Sequence, residues 1–204
     1  MQKRIDNVRK ILKEKQLDAI LIKSKSNKRY IGALVGSGVK VLVTKDHLYQ
    51  IMDGRYINEA KETTSGFELI VHKQGTSYLS EVKKLVKEDA LIGIEANQVL
   101  VKEYLSMQEY GLKIALLENE LEQARKIKDE LVRQACEITD KIFMEAISTV
   151  KVGMKEQELS ALLQYLAIKN GASAMAFDTI VASGTRGSMP HGRPTDKTFQ
   201  EHEF

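Results

Sequence analysis

Disulfide chemistry is the first thing this sequence rules out: its 204 residues include a single cysteine, Cys136. One thiol cannot close an internal bridge, so stability must come from an apolar core, and this usage fits a reducing compartment. Tryptophan is missing, and the two prolines, Pro190 and Pro194, both lie near the C-terminal end, so no Pro-rich linker divides the chain. No apolar run approaches the roughly 18 residues of a membrane span. The opening MQKRIDNVRK lacks the apolar stretch of a secretory leader. Neither charge sign dominates, with 31 Lys+Arg against 28 Asp+Glu. A dedicated nucleic-acid surface would cluster basic residues instead. The expectation is a cytoplasmic protein with neither a nucleic-acid nor a membrane partner.

The apolar pattern gives the elements. Ile5, Val8, Ile11 and Leu12 stand at helical spacing, which predicts a helix over 2–16. Short apolar runs at 18–22, 39–43, 48–52, 67–71, 91–94 and 113–116 read as strands, with a hairpin turn at Lys45-Asp46-His47. Helices are predicted at about 55–63, 77–87 and 98–109. Strands alternating with helices indicate an α/β domain with a mixed sheet, expected over residues 1–122. Two long helices follow, at about 126–149 and 155–169. The first has Leu131, Ala135, Ile138, Ile142 and Ala146 on one face, and its pattern predicts a buried Cys136. Gly171 suits a left-handed cap for the second. Phe177–Ala182 reads as a strand, leading into a Gly-rich loop through Pro194. Residues 123–204 thus offer two helices, one strand and a loop, too little to cover both helices. The remaining sheet is expected beyond Phe204.

The chemistry concentrates in Ser183-Gly-Thr-Arg-Gly-Ser-Met-Pro-His191-Gly192. Pro190 fixes its own φ and pushes Met189 towards extended backbone, while Gly192 lacks a Cβ and leaves room for a close approach. An imidazole titrates near neutral pH and can donate to, or take a proton from, a reacting group. Spacing alone is a weak signal and favours an exposed loop histidine without a role. His47 and His72 have no His, Cys or carboxylate partner at ligand spacing and read as surface residues. Glu201 and Glu203 would point away from His202 in a strand, so these three do not make a metal site. Arg55 and Tyr56 read as anchors of a turn or helix start.

Several segments, in order along nearly the whole chain, resemble one family. Asn27-Lys-Arg-Tyr-Ile-Gly32 with Gly36-Ser-Gly38, Asp53-Gly-Arg-Tyr56, Ile92-Gly-Ile-Glu95, Arg125-Lys-Ile-Lys-Asp-Glu130, Phe177-Asp-Thr-Ile-Val-Ala-Ser-Gly184, Met189-Pro-His-Gly192 and Asp196-Lys197 are similar to motifs of the creatinase/aminopeptidase P/prolidase family. The resemblance implies an α/β N-terminal domain over 1–122 and, over 123–204, the incomplete start of a "pita-bread" α+β domain. It implies a metal-dependent exopeptidase that hydrolyses the Xaa-Pro bond at the N-terminus of peptides, acting as a homodimer. His191 resembles the family histidine that contacts substrate and stabilises the tetrahedral intermediate. Phe177 resembles a residue lining the pocket for the substrate's first side chain, and also reads as a core aromatic at a strand end.

The family's five metal ligands (two Asp, one His, two Glu) all follow the Pro-His-Gly block, and none is expected in this chain. Carboxylate-rich ligation suits Mn²⁺, with Zn²⁺ or Co²⁺ as alternatives, in the intact protein. No metal is expected in these 204 residues, which should be inactive alone. Where the family has Gly-Asp before the next strand, this chain has His202-Glu203. Two other functions share the fold: a non-catalytic binding or assembly module, and creatinase-like C–N hydrolysis.

Overall fold

The computed structural model describes residues 1–73, 75–126 and 130–203, with backbone alone for residues 130 and 131. Two compact units divide the chain, Met1–Ile127 and Lys128–Phe204.

The first unit is built on a six-stranded mixed sheet in the order β4-β3-β2-β1-β5-β6. The strands are β1 (Ala19–Ile22), β2 (Lys40–Thr44), β3 (Leu48–Met52), β4 (Glu68–Val71), β5 (Leu91–Glu95) and β6 (Lys113–Leu117). β2 pairs antiparallel with β1 and β3, whereas β1–β5, β5–β6 and β3–β4 are parallel. The β2–β3 hairpin closes where expected, with the Thr44 amide donating to the His47 carbonyl at 3.0 Å.

Alternation sorts the strand residues between two layers. Ile20, Ile22, Val41 and Val43 meet Ile5, Val8, Ile11 and Leu12 of α1 (Gln2–Glu14) on one face. Ala19, Leu21, Leu42 and Ile51 meet Leu79 and Val82 of α4 (Tyr78–Leu85) and Met107 of α5 (Val101–Glu109) on the other. All four residues of β1 are therefore buried, as expected for a central strand covered twice. Two short helices complete this unit's middle: α2 (Lys25–Tyr30) after β1, and α3 (Ile57–Thr63) after a 3₁₀ turn at Gly54–Tyr56. The unit runs past the residue-122 boundary expected from sequence because α6 (Glu120–Ala124) packs Leu121 into the α1 layer.

Sequence motifs of this unit interlock. The Tyr56 ring stands between Gly36 and Gly38: a Cβ on either would come within 2.5 Å of a ring carbon. Asp53 caps the 3₁₀ turn and takes both Nε and Nη2 of Arg55 at 2.9 Å. Asn27, buried, donates to Glu95 at 2.7 Å and accepts from Arg125. The same Glu95 carboxylate receives the amides of Lys23 and Ser24. Three of the motifs thus meet in one polar node.

The second unit holds α7 (Glu130–Thr149) and α8 (Glu156–Lys169). They pack on each other, but little else covers them. Ala146, Leu166, Ala167 and Val181 are its buried apolar residues among those described, while Phe143, Met144, Tyr165 and Ile168 stay exposed. Of the expected α7 face, Ile138 and Ile142 are half-buried, Ala135 is exposed, and the Leu131 side chain lies outside the described residues. Residues 127–129 of the expected 126–149 helix also lie outside them. Cys136 is exposed, not buried, because residues 132–137 of α7 meet no covering layer among the described residues. α8 ends in a Schellman arrangement: Gly171, at φ +91°, donates to Ile168, and Ala172 donates to Ala167.

Candidate functional site

The loop that carries His191 is organised by the start of α8. Gly153 donates to the Phe199 carbonyl, and Phe199 donates back to Met154, each at 2.9 Å. Glu156 and Gln157 donate to the carbonyls of Lys197 and Thr195 at 2.9 and 3.2 Å. Segment 195–199 therefore runs antiparallel beside 153–157, with a bridge between Lys155 and Thr198.

The Glu156 side chain is 0 % exposed and both its oxygens are used. Oε1 accepts from the Ser183 amide at 2.9 Å and the Ser183 hydroxyl at 3.2 Å. Oε2 accepts from the Thr195 amide at 3.0 Å and the Thr195 hydroxyl at 2.8 Å. Arg186 Nε lies 3.3 and 3.2 Å from the two oxygens. Burial by itself pushes this carboxyl upward. The donors from Ser183 and Thr195, with the Arg186 charge, outweigh it and hold the group at about 2. Lys197 Nζ extends the network to the Ser183 hydroxyl at 3.0 Å and to Glu203 at 2.6 Å. That lysine depresses the Glu203 carboxyl.

From Ser183 the chain enters a 3₁₀ turn, Gly184–Ser188, and Met189 is extended (φ −91°, ψ 108°) ahead of Pro190, as proline requires. His191 is exposed and has no hydrogen-bond partner among the described residues. The space beside Gly192 is filled by the protein rather than open to a ligand. A Cβ there would lie 3.0 Å from that of Ala182 and 3.4 Å from that of Met189. Gly192 is thus a packing residue that lets the loop fold back on itself.

Phe177–Ala182 is not a strand. The segment has strand propensity, but no ladder partner stands beside it among the described residues, and propensity alone does not make a strand. Phe177 is 73 % exposed, so it is no core aromatic. It borders an open groove of about 840 Å³ with Gln157, Ser160 and Gln164 of α8, Thr179 and Pro194. The Thr179 hydroxyl is buried there without a partner among the described residues. His191 does not line that groove, so Phe177 and His191 are not gathered into one pocket. Residues 201 and 202 form a turn rather than the start of a strand, with His202 at φ +61°.

Sequence reasoning missed Glu156. A glutamate in the first turn of a helix reads as a dipole partner, and only tertiary contacts 27 to 39 residues away give it another role. It also missed the contact of His47 Nδ1 with Glu68 Oε1 at 2.6 Å, which the β3–β4 pairing makes across an exposed surface. Among the described residues no three His, Cys, Asp or Glu side chains gather in a way that could hold a metal. No helix among them is long and apolar enough to cross a membrane.

Comparison with known proteins places this geometry. Residues 4–127 match the Creatinase/Prolidase N-terminal domain, and residues 130–204 match Metallopeptidase family M24. The Xaa-Pro dipeptidase of Pyrococcus furiosus is 29 % identical over 210 residues, covering 100 % of this chain and 59 % of its own. The solved structure of an Xaa-Pro dipeptidase from Bacillus anthracis superposes with a TM-score of 0.86 at 28 % identity, over 100 % of this chain and 59 % of that one. An X-Pro aminopeptidase structure from Thermotoga maritima gives 0.80 at 32 % identity, over 92 % and 56 %. The chain thus spans less than two thirds of the length of these relatives. With both matches in order along the sequence, and with its mixed α/β sheet, the chain belongs to the creatinase/prolidase family of M24 metallopeptidases.

Proposed function

We propose that this chain is the N-terminal part of a metal-dependent exopeptidase that cleaves the Xaa-Pro bond at the N-terminus of peptides, and that residues 1–204 alone do not turn substrate over. The observation that carries the reading is the anchored loop: Glu156 fixes residues 183 and 195, and an exposed imidazole without a hydrogen-bond partner among the described residues stands between them. The names of the relatives, Xaa-Pro dipeptidase and X-Pro aminopeptidase, supply the substrate class.

Proline offers no N–H at the scissile bond, so recognition must come from the free amino terminus, the ring and the carbonyl. In this reading His191 donates a hydrogen bond to the oxygen that gains charge, where one donor is worth about 3 kcal/mol. Phe177, on the rim of the groove, lines the space for the first side chain. The metal, Mn²⁺ with Zn²⁺ or Co²⁺ as alternatives, finds no side-chain set among the described residues and would be held by residues outside this chain. The intact protein would be a cytoplasmic homodimer.

The test is a fusion of residues 1–204 to the C-terminal portion of the Pyrococcus furiosus dipeptidase that this chain does not cover, assayed on Ala-Pro with Mn²⁺. Turnover is expected in the fusion and not in the 204-residue chain. His191→Ala in the fusion should lower kcat by about 10²–10³-fold. Turnover by the chain alone, or full activity of the His191→Ala fusion, overturns the reading. Peptide binding without turnover in the fusion would favour a binding module instead.

A further inference from the structure

We propose that Glu156 is a positioning residue for His191: its carboxylate ties together the two ends of the 183–195 loop and so sets where the imidazole stands. The inference rests on the substrate-contacting role of His191 given above.

His191 makes no hydrogen bond of its own among the described residues, so its place is inherited from the loop backbone. That backbone is held on both sides of it by the two oxygens of one buried carboxylate, through Ser183 before and Thr195 after. Arg186 joins the sides a second time: its Nε is on Glu156 and its Nη2 donates to the Arg193 carbonyl at 2.7 Å. α8 does not need Glu156 for its own start. Glu158 already caps it, accepting from the Lys155 amide at 2.8 Å.

A buried carboxylate is costly unless several donors meet it, and here five do, from three residues of the loop. Glutamine has the same shape, but one of its ends is an NH₂ that would face N–H and O–H donors. Replacing Glu156 with Gln therefore releases one end of the loop while the helix keeps its cap.

The experiment is amide hydrogen exchange and ¹⁵N relaxation on the 204-residue chain and its Glu156→Gln variant. We expect exchange at Ser183 and Thr195 to accelerate by about tenfold or more, and the His191 heteronuclear NOE to fall, while amides inside α8 change less than about twofold. Unchanged loop amides, or α8 amides accelerating as much as the loop, overturn the inference, because a general prop for the helix would move both. Should Glu156→Gln not fold, Thr195→Val removes one donor and keeps the charge. The same localised pattern is then expected, and uniform acceleration or none overturns it. His191→Ala leaves these exchange rates in place. An active His191→Ala fusion therefore defeats the functional reading while leaving the exchange result standing.

Discussion

Glu156 accepts both the amide and the hydroxyl of Thr195, at 3.0 and 2.8 Å, across 39 residues of chain. This contact makes the second unit sensitive to acid. Burial opposes the charge, but the donors win and the carboxyl is held at about 2 against an ordinary 4.5. A depressed carboxyl contributes stability above its unfolded value and loses it as pH falls through the folded one. Unit-two stability should therefore decline between about pH 4.5 and about pH 2. Glu156→Gln should flatten that limb. Urea unfolding followed by NMR of α7 and α8 amides at several pH values checks both.

Tyr56 and Gly38 should behave as one unit. Gly38→Ala would place a Cβ 2.5 Å from the ring and 2.7 Å from Asp53 Oδ2. A cost of about 1–3 kcal/mol is expected. Tyr56→Ala vacates the space, so the double variant should be more stable than the sum of the single losses implies. A cycle additive within about 0.5 kcal/mol would show that the ring does not set the glycine requirement.

Lys28 shares the sign of the Glu156 pH response but acts in an alkaline window, and here burial disfavours the charged form. Its ammonium is buried and donates to the carbonyls of Gly36 and Val39 at 2.6 and 2.9 Å. Burial, with Lys40 adding repulsion, lowers it to about 8 from an ordinary 10.5. Over that interval the unfolded chain binds more protons than the folded one, so this group's contribution to stability rises with pH from about 8 to about 10.5. Lys28→Met should lose that rise relative to the parent, read as the difference in urea midpoints. Equal slopes would mean that the ammonium escapes to solvent.

His202 occupies left-handed backbone at φ +61°, where the family resemblance expects glycine. His202→Gly should stabilise the second unit by about 0.5–1 kcal/mol, because glycine takes this conformation without a Cβ penalty. Thermal unfolding measures the gain. A loss would mean that the turn is held by the imidazole.

Much of the first unit was legible because its signals are local. The spacing of Ile5, Val8, Ile11 and Leu12 gives α1, and the apolar runs give β1 to β6. α2 escaped because six residues capped by Ser24 carry no apolar period. The strand at Phe177–Ala182 and the burial of Cys136 failed together. Both expectations assumed a covering layer, which the residues themselves cannot declare.

The sequence by itself determined the alternation of strands and helices, the family and the loop on which His191 sits, since periodicity, turn residues and ordered motifs are written along the chain. Tertiary structure alone decided that Glu156 holds that loop, that Gly192 packs on Ala182, and that Tyr56 fills the gap between two glycines. Those facts depend on which residues meet across 10 to 39 positions. Burial and hydrogen-bond geometry in the folded chain select such meetings, and no short window of sequence contains both partners.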